Sequence, residues 1–213
     1  MSLEKRRREY RYGTLDSESL SSDPIKQFSD WMSDAIDKDL GDPTAMCLAT
    51  TTPDGRPSQR VVLLKGYSAS GFVFFTNLSS RKATEIEANS HVCLLFPWLH
   101  LDRQVIIEGK AHSLDREDVG NYFIQRPVEA KLAAWASKQS KPIQNRACLE
   151  ERYENISLRF YGKGIPVPEF WGGYRVAPDN FEFWQGGERR LHDRFRYSKN
   201  ESDSTWTISR LAP

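Results

Sequence analysis

The chain has 213 residues, a length that fits one large domain or two small ones. Its 30 lysines and arginines balance 29 aspartates and glutamates to a formal charge of +1, so no overall field attracts nucleic acid or a membrane surface, and any anion site must come from local clustering. The amino terminus lacks the apolar core of a secretory signal, and no apolar run approaches the roughly 18 residues that span a bilayer, which predicts a cytoplasmic protein.

Cysteines and histidines give no pattern of metal ligands. Cys47, Cys93 and Cys148 are odd in number and far apart, and the four histidines are scattered along the chain. Neither a CxxC motif nor a Cys/His spacing typical of zinc is present. We therefore expect reduced thiols and no metal centre.

The amino-terminal segment predicts a basic arm followed by a helix. Residues 1–22, which contain KRRREYR, are expected to form a mobile arm or lid, and residues 23–213 a single domain. Asp23 and Pro24 predict the start of a helix, because aspartate caps helices and proline fits their first turn. The helix is expected to end near residues 39–41.

Strand signals follow this helix. β-Branched and aromatic runs divided by turn residues predict an antiparallel meander. The expected strands are 45–51, 58–67, 72–77, 91–98 and 103–114. A short helix at 79–89, capped by Ser79 or Ser80, is expected to interrupt them.

The carboxyl-terminal half predicts helices first and strands afterwards. The expected helices are 115–126, 128–139 and 145–160, and the expected strands are 171–178, 181–186, 190–198 and 205–211. No GxGxxG motif follows a strand and no regular β-α-β alternation occurs, which argues against a Rossmann fold and a P-loop. The pattern favours a small closed barrel decorated by helices.

The most crowded cationic segment is FWQGGERRLHDR at residues 183–194. If RLHDRFRY at residues 190–197 is extended, alternation places four potential cations on one face: Arg190, His192, Arg194 and Arg196. They would repel one another unless water or an anion separates them, so the segment fits a solvated barrel exterior and an anion site equally well. Trp184 and the two following glycines favour a site, because tryptophan can wall a planar ring and glycine lets backbone approach a ligand.

Two segments combine cations with strand or helix starts. In SSRK at 79–82, hydroxyls and a helix amino terminus lie beside Arg81 and Lys82, which suits phosphate. In RVVLLK at 60–65, alternation puts the two terminal cations on opposite faces, so they need not bind the same group.

Three further residues are candidate ligand groups. Tyr122 and Arg126 lie four apart on one predicted helix and therefore share a face. Gln104 lies in an apolar strand, where a buried amide needs hydrogen-bond partners. A flavin edge would supply them, and so would ordinary backbone.

Several motifs together resemble a known family. In chain order they are RVVLLKG, FFTNLSSRKA, RQVIIEG, YFIQRP, AWASKQS, FWGGYRV, EFWQGGERRLHDRF and the terminal RLAP. Their combination is similar to the pyridoxine (pyridoxamine) 5′-phosphate oxidases, and the resemblance runs from about Arg7 to Pro213. EFWQGGERRLHDR and RLAP are the most specific of these motifs.

The resemblance implies a fold and an activity. The fold is a mainly β (α+β), FMN-binding split β-barrel, antiparallel and Greek-key-like with peripheral helices, in a homodimer whose active sites lie at the subunit interface. The activity is oxidation of pyridoxine or pyridoxamine 5′-phosphate to pyridoxal 5′-phosphate. A hydride passes from the substrate C4′ carbon to flavin N5, O2 reoxidises the flavin to give H2O2, and the amine releases NH3.

The resemblance also implies site residues, matched position by position. The cofactor set is Arg60, Val61, Val62, Leu63, Leu64, Lys65, Phe75, Thr76, Arg81, Lys82, Gln104, Gln139, Ser140, Trp184 and Arg194. The substrate set is Arg7, Arg8, Glu9, Tyr10, Lys65, Tyr122, Arg126, Ala130, Arg190, Leu191 and His192. In the substrate set, Arg190 and His192 are the implied catalytic pair: His192 suits proton transfer and Arg190 can stabilise negative charge.

One departure from the family pattern concerns the substrate phosphate. The family reads RPxxSxIGAW where this chain has RPVEAKLAAW, so Ala130 replaces a serine hydroxyl. A lost neutral hydrogen bond costs about 0.5 to 1.5 kcal/mol. We hypothesise that Lys131 partly compensates as a cation. Two other functions stay open: a split-barrel flavin oxidase of another ring, of the phenazine-pathway type, and a non-catalytic flavin- or pyridoxal-phosphate-binding protein.

Overall fold

A nine-stranded antiparallel sheet forms the centre of the computed structural model, which describes residue 4 and residues 8–200 and 202–213. The strands are β1 Ala45–Thr51, β2 Pro57–Leu63, β3 Gly66–Ser68, β4 Gly71–Asn77, β5 His91–Trp98, β6 Arg103–Ser113, β7 Trp171–Gln185, β8 Asp193–Lys199 and β9 Trp206–Arg210. The helices are α1 Pro24–Asp37, α2 Arg81–Ala88, α3 Arg116–Gln125, α4 Val128–Ala136 and α5 Arg146–Phe160, with short 3-10 turns at Leu99–Leu101 and Glu188–Arg190.

Side-chain caps explain where the helices begin. Asp23 accepts from the backbone N–H of Ile25 at 2.9 Å, and Pro24 occupies the first turn, as the sequence predicts. Ser80 caps α2, which settles the choice between two serines. The first helix ends at Asp37, slightly before the predicted end.

The sheet is a split barrel rather than the closed barrel that the strand pattern favours. Its strand order is β2-β1-β5-β6-β7-β4-β3, with β8 and β9 continuing from β7. The path therefore ends at β2 and β3, which are consecutive in the chain and joined through Leu64 and Lys65. The pairings of β1 with β5 and of β4 with β7 join strands distant in sequence, as in a Greek key.

Two predicted strand boundaries are wrong. The region predicted as strands 171–178 and 181–186 is the single strand β7, because the break expected around Pro178 is absorbed by a bulge in the pairing with β6. Gly109 lies at this bulge, and a Cβ there would come within 2.1 Å of the Ala177 carbonyl oxygen. The strand predicted at 58–67 divides into β2 and β3.

Two hydrophobic clusters hold the fold together. The main cluster fills the barrel, where Phe28 of α1 meets Phe72 and Phe96 edge-on with ring centroids 4.9 Å apart. A smaller cluster packs Phe123 of α3 against Trp171 of β7. This second cluster fixes α3 on the sheet and so positions the residues that follow it. Every helix in the described part of the chain is too short or too polar to span a bilayer.

Candidate active site

A cavity of about 410 Å³ opens between β2, β4 and the helices α3 and α4. Members of both predicted ligand sets line it: Val61, Val62, Leu63, Lys65, Phe75, Thr76, Lys82 and Gln139 of the cofactor set, and Tyr122, Arg126 and Ala130 of the substrate set. We call it the first cavity. Part of each set therefore lies in one space.

Lys82 is the buried cation at one end of this cavity. It is 8% exposed, and its ammonium donates to Gln139 Oε1 at 2.9 Å and to Thr76 Oγ1 at 3.2 Å. Burial lowers the pKa of Lys82, and the nearby charge of Arg60 lowers it further. A buried ammonium whose hydrogen-bond partners in the described chain are neutral is a favourable place for an anion.

Arg126 is the second cation of the first cavity. Its guanidinium lies over the Trp171 ring, 4.9 Å from the centroid, and its Nη1 is buried without a hydrogen-bond partner among the described residues. Burial lowers the pKa of Arg126, and Tyr122 opposes that effect. A buried donor without a partner costs about 1 to 3 kcal/mol, more when charged, so an anionic ligand here would remove a penalty.

A stack of parallel aromatic rings lies beside Arg126. Phe75 stacks on Tyr122 with centroids 4.0 Å apart and planes 5° apart, and on Trp171 at 5.3 Å and 2°. Burial raises the pKa of Tyr122, while Arg126 acts in the opposite direction, so the phenol stays neutral. This stack joins α3 to β4 and β7 next to Arg126.

The amino-terminal turn of α4 gives Ala130 and Lys131 different surroundings. Ala130 lines the first cavity, whereas the Lys131 ammonium donates to the Ile124 carbonyl at 2.7 Å, near the end of α3. Lys131 is not among the residues that line the cavity. Its compensation for the missing serine stays a prediction.

A second cavity, of about 270 Å³, lies at the other end of β7. Predicted residues that line it are Arg8, Tyr10, Gln104 and Trp184. Gln104 and Trp184 are paired neighbours on β6 and β7, and His192 packs on Trp184 with ring centroids 4.7 Å apart. Within the described part of the chain, no residue lines both this cavity and the first. The predicted site residues therefore fall into two groups in one protomer.

The expectation that residues 190–197 are extended is wrong at its start. Glu188–Arg190 form a 3-10 turn in which Arg189 and Arg190 have positive φ, and β8 begins only at Asp193. Strand alternation therefore does not apply to Arg190 and His192. Arg190 is exposed, and His192 is held by the turn that precedes β8.

The turn fixes the His192 ring through its backbone. The Gly187 N–H donates to His192 Nδ1 at 3.1 Å, so a neutral ring carries its proton on Nε2. A Cβ at Gly187 would lie 2.2 Å from the Leu191 carbonyl oxygen, which explains glycine there. In this arrangement His192 is a donor at Nε2; to accept a substrate proton, the ring must release the Gly187 N–H.

Alternation is confirmed for the cations within β8. Phe195 is buried, while Arg194 and Arg196 lie on the other face. Arg194 forms a two-point ion pair with Glu182 at 2.9 and 3.1 Å, and Arg196 lies 3.3 Å from Glu108. Carboxylates therefore separate these cations, and the assignment of Arg194 to the cofactor stays a prediction.

The remaining predicted residues line neither cavity. Leu64 is part of the main core, and Ser140 follows Gln139 with a φ of 66°. Leu191 is 70% exposed, and Glu9 is also exposed. Arg60 and Arg81 both form ion pairs with Glu85. Arg7 lies outside the described residues. The roles of these residues stay predictions.

Glu85 of α2 is a site-supporting residue that the sequence did not single out. Its buried carboxylate accepts from Ser58 at 2.6 Å, from Arg81 at 2.7 Å and from Arg60 at 3.2 Å, as well as from Thr50. Burial alone would raise its pKa, but these hydrogen bonds outweigh burial and lower the pKa to about 2. The i,i+4 spacing of Arg81 and Glu85 on one helix is the one local sequence signal for these contacts of Glu85.

Replacing Glu85 with glutamine is expected to lower the free energy of unfolding at pH 7 by about 2 to 4 kcal/mol, because the largely buried Arg60 loses its counter-charge and two hydroxyl groups lose an ionised acceptor. The carboxylate's contribution is present above its ordinary pKa of 4.5 and is lost as the pH falls toward about 2. Urea unfolding of both proteins should therefore give a difference that shrinks below pH 4.5; a constant difference would contradict the pKa shift. The exposed Glu150→Gln is the control, with less than about 1 kcal/mol expected.

Comparison with known proteins identifies the family. Residues 32–160 match the family described as pyridoxamine 5′-phosphate oxidase, and residues 171–213 match the pyridoxine 5′-phosphate oxidase C-terminal dimerisation region. A pyridoxine/pyridoxamine 5′-phosphate oxidase from Pseudoalteromonas atlantica is 52% identical over 211 residues, 99% of each chain. One from Shewanella sediminis is 55% identical over 208 residues, 97% of each chain.

A solved structure agrees with this assignment. The crystal structure of PhzG from Burkholderia lata in complex with tetrahydrophenazine-1-carboxylic acid superposes with a TM-score of 0.87 at 29% identity, covering 94% of this chain and 98% of the other. The family and the split-barrel fold implied by the sequence motifs are both confirmed. The chain belongs to the pyridoxine/pyridoxamine 5′-phosphate oxidase family.

Proposed function

We propose that this protein oxidises pyridoxine 5′-phosphate and pyridoxamine 5′-phosphate to pyridoxal 5′-phosphate, with FMN as cofactor and O2 as electron acceptor. Relatives with the oxidase name are 52% and 55% identical over almost the whole chain. The structural observation that carries the proposal is Arg126, whose buried Nη1 has no partner in the described chain. A phosphate-bearing substrate would supply that partner.

The first cavity fits FMN. Lys82, with the Thr76 hydroxyl and the Gln139 amide beside it, offers a charge and donors for the phosphate-bearing chain of the cofactor. The exposed apolar side chains of Val61 and Leu63 on β2 provide surface for a ring system. When bound, FMN supplies the capacity to accept a hydride and to return electrons to O2.

The chain's own residues would bind and orient the substrate. Tyr122 and Arg126 would hold its phosphate, since both line the first cavity and Arg126 has an unused donor. His192 would hold the C4′ oxygen or nitrogen through Nε2, and proton uptake by the ring would require loss of its Gly187 hydrogen bond. Arg190 would stabilise negative charge that develops on the substrate.

We further propose that the complete site forms across a homodimer, from the first cavity of one protomer and the second cavity of its partner. Trp184 and His192 belong to residues 171–213, the part that matches a dimerisation region, whereas the first cavity is built mainly from residues before 160. Val61, 66% exposed at the rim of the first cavity, is an apolar side chain that such an interface would cover. The cytoplasmic location predicted from the sequence belongs to the same proposal.

The purified protein is expected to be yellow and to lose its flavin absorbance on anaerobic addition of pyridoxine 5′-phosphate or pyridoxamine 5′-phosphate. Admission of O2 should restore the colour and produce H2O2. Unphosphorylated pyridoxine is the matched control and should bleach the flavin much more slowly, because Arg126 would lack its anion. Yellow protein that only a dihydrophenazine carboxylate bleaches would favour the phenazine-type oxidase, and yellow protein bleached by neither would favour a binding protein.

A further inference from the structure

Three of the four hydrogen bonds that residues 8–12 of the amino-terminal arm make to the domain end on one carboxylate, that of Asp102. One oxygen of Asp102 accepts from the Arg8 guanidinium, which also donates to the Leu99 carbonyl at 2.6 Å. The other oxygen accepts from the backbone N–H groups of Arg11 at 3.0 Å and Tyr12 at 3.2 Å. Among the described residues, every hydrogen-bond donor to this carboxylate lies within residues 8–12 of the arm.

Asp102 lies between β5 and β6, and hydrogen bonds to its backbone hold it there. It ends the turn Leu99–Leu101 with a left-handed φ of 50°, and it is 5% exposed. Its carbonyl accepts from the Gly186 N–H at 2.7 Å and from Gln185 Nε2 at 3.2 Å. The same residue thus binds the arm through its side chain and the end of β7 through its backbone.

The arm carries Tyr10 onto two predicted site residues. The Tyr10 ring meets Trp184 edge-on at 5.4 Å and His192 at 5.1 Å. Gly186 permits this contact, because a Cβ there would lie 2.6 Å from the Tyr10 ring. The position of Tyr10 against His192 therefore depends on where residues 8–12 are anchored.

We propose that Asp102 is a positioning residue for the oxidase reaction, which fixes the arm so that Tyr10 packs on Trp184 and His192. A buried ionised carboxylate is costly without donors, so departure of the arm leaves an uncompensated charge and the closed arrangement is favoured. This inference rests on the proposed function for its effect on catalysis. The anchoring of the arm itself is independent of that function.

Trypsin cleavage after Arg11 tests the anchoring directly. In the holoenzyme, Asp102→Asn is expected to speed this cleavage by about tenfold or more, because the loss of a charge-assisted hydrogen bond weakens the closed arm. Asp102→Glu should restore part of the protection. Asp30→Asn, which removes an exposed carboxylate paired with Lys26 on α1, is the matched control and should leave the rate unchanged.

Kinetics separate positioning from a general loss of structure. Asp102→Asn should raise KM for pyridoxine 5′-phosphate by about tenfold with the flavin spectrum unchanged. Unchanged cleavage after Arg11 would overturn the proposal, as would faster cleavage with unaltered KM and kcat in an active enzyme. If Asp102→Asn does not fold, the rate of cleavage after Arg11 in Arg8→Ala tests the anchoring from the exposed side of the ion pair. KM is not compared in that variant, because Arg8 is itself a predicted substrate residue. Faster cleavage in a protein that never oxidises either substrate would keep the anchoring and reject the proposed function.

Discussion

Replacing Arg126 with methionine is expected to lower kcat/KM for pyridoxamine 5′-phosphate by about 100- to 1000-fold. Two charge-assisted hydrogen bonds to a phosphate contribute roughly 3 to 4 kcal/mol, and each 1.4 kcal/mol is a factor of ten. Stability should change little, since Nη1 has no partner to lose in the described chain and methionine keeps contact with Trp171. The effect should therefore appear in catalysis rather than in the melting temperature.

Steady-state kinetics and thermal melting together check this prediction. Arg126→Lys should give an intermediate loss, because one ammonium cannot reproduce the two-point geometry of a guanidinium. The matched control is Arg146→Met on α5, whose side chain is 87% exposed and pairs with Glu150. A loss of less than about threefold in Arg126→Met would remove Arg126 from the substrate site.

The sequence predicts the elements whose signals are local. Asp23 and Pro24 define the start of α1 because a cap and a proline act on their own turn. Local signals do not predict features that depend on pairing with a neighbouring strand. Pro178 lies inside a continuous strand because Gly109 allows a bulge opposite it. Local signals fail again at Arg189 and Arg190, whose positive φ values are unusual for residues other than glycine.

The residues of the candidate site also divide into those that local sequence signals predict and those that they do not. Arg126 and Tyr122 line one cavity as their helical spacing and the family motifs suggest. Glu85 and Asp102 were not predicted, because apart from Arg81, four residues before Glu85, the partners of these carboxylates named above lie far away in sequence. Thr50 lies 35 residues from Glu85, and Arg8 lies 94 residues from Asp102. A single sequence gives no periodic signal for hydrogen bonds between residues so far apart.

Variants that damage different cavities are expected to complement each other in a heterodimer, because the two cavities are separate within one protomer. Arg126→Met damages the first cavity and His192→Ala the group beside the second, so each homodimer is expected to have two defective sites. A heterodimer of these variants, isolated with two different affinity tags, combines both defects in one site and leaves the other intact if each site takes one cavity from each protomer. Such a heterodimer should recover about half of the wild-type activity per dimer.

A same-cavity pair makes the control strict. Arg126→Met and Lys82→Met both alter the first cavity, so their heterodimer contains one defect in every site and should remain as inactive as the parents. If each protomer instead held a complete site, neither heterodimer would exceed the mean of its parents. Recovery in the first heterodimer but not in the second therefore requires that residues 171–213 of one subunit complete the first cavity of its neighbour. Only a site built from both protomers predicts different activities for the two heterodimers.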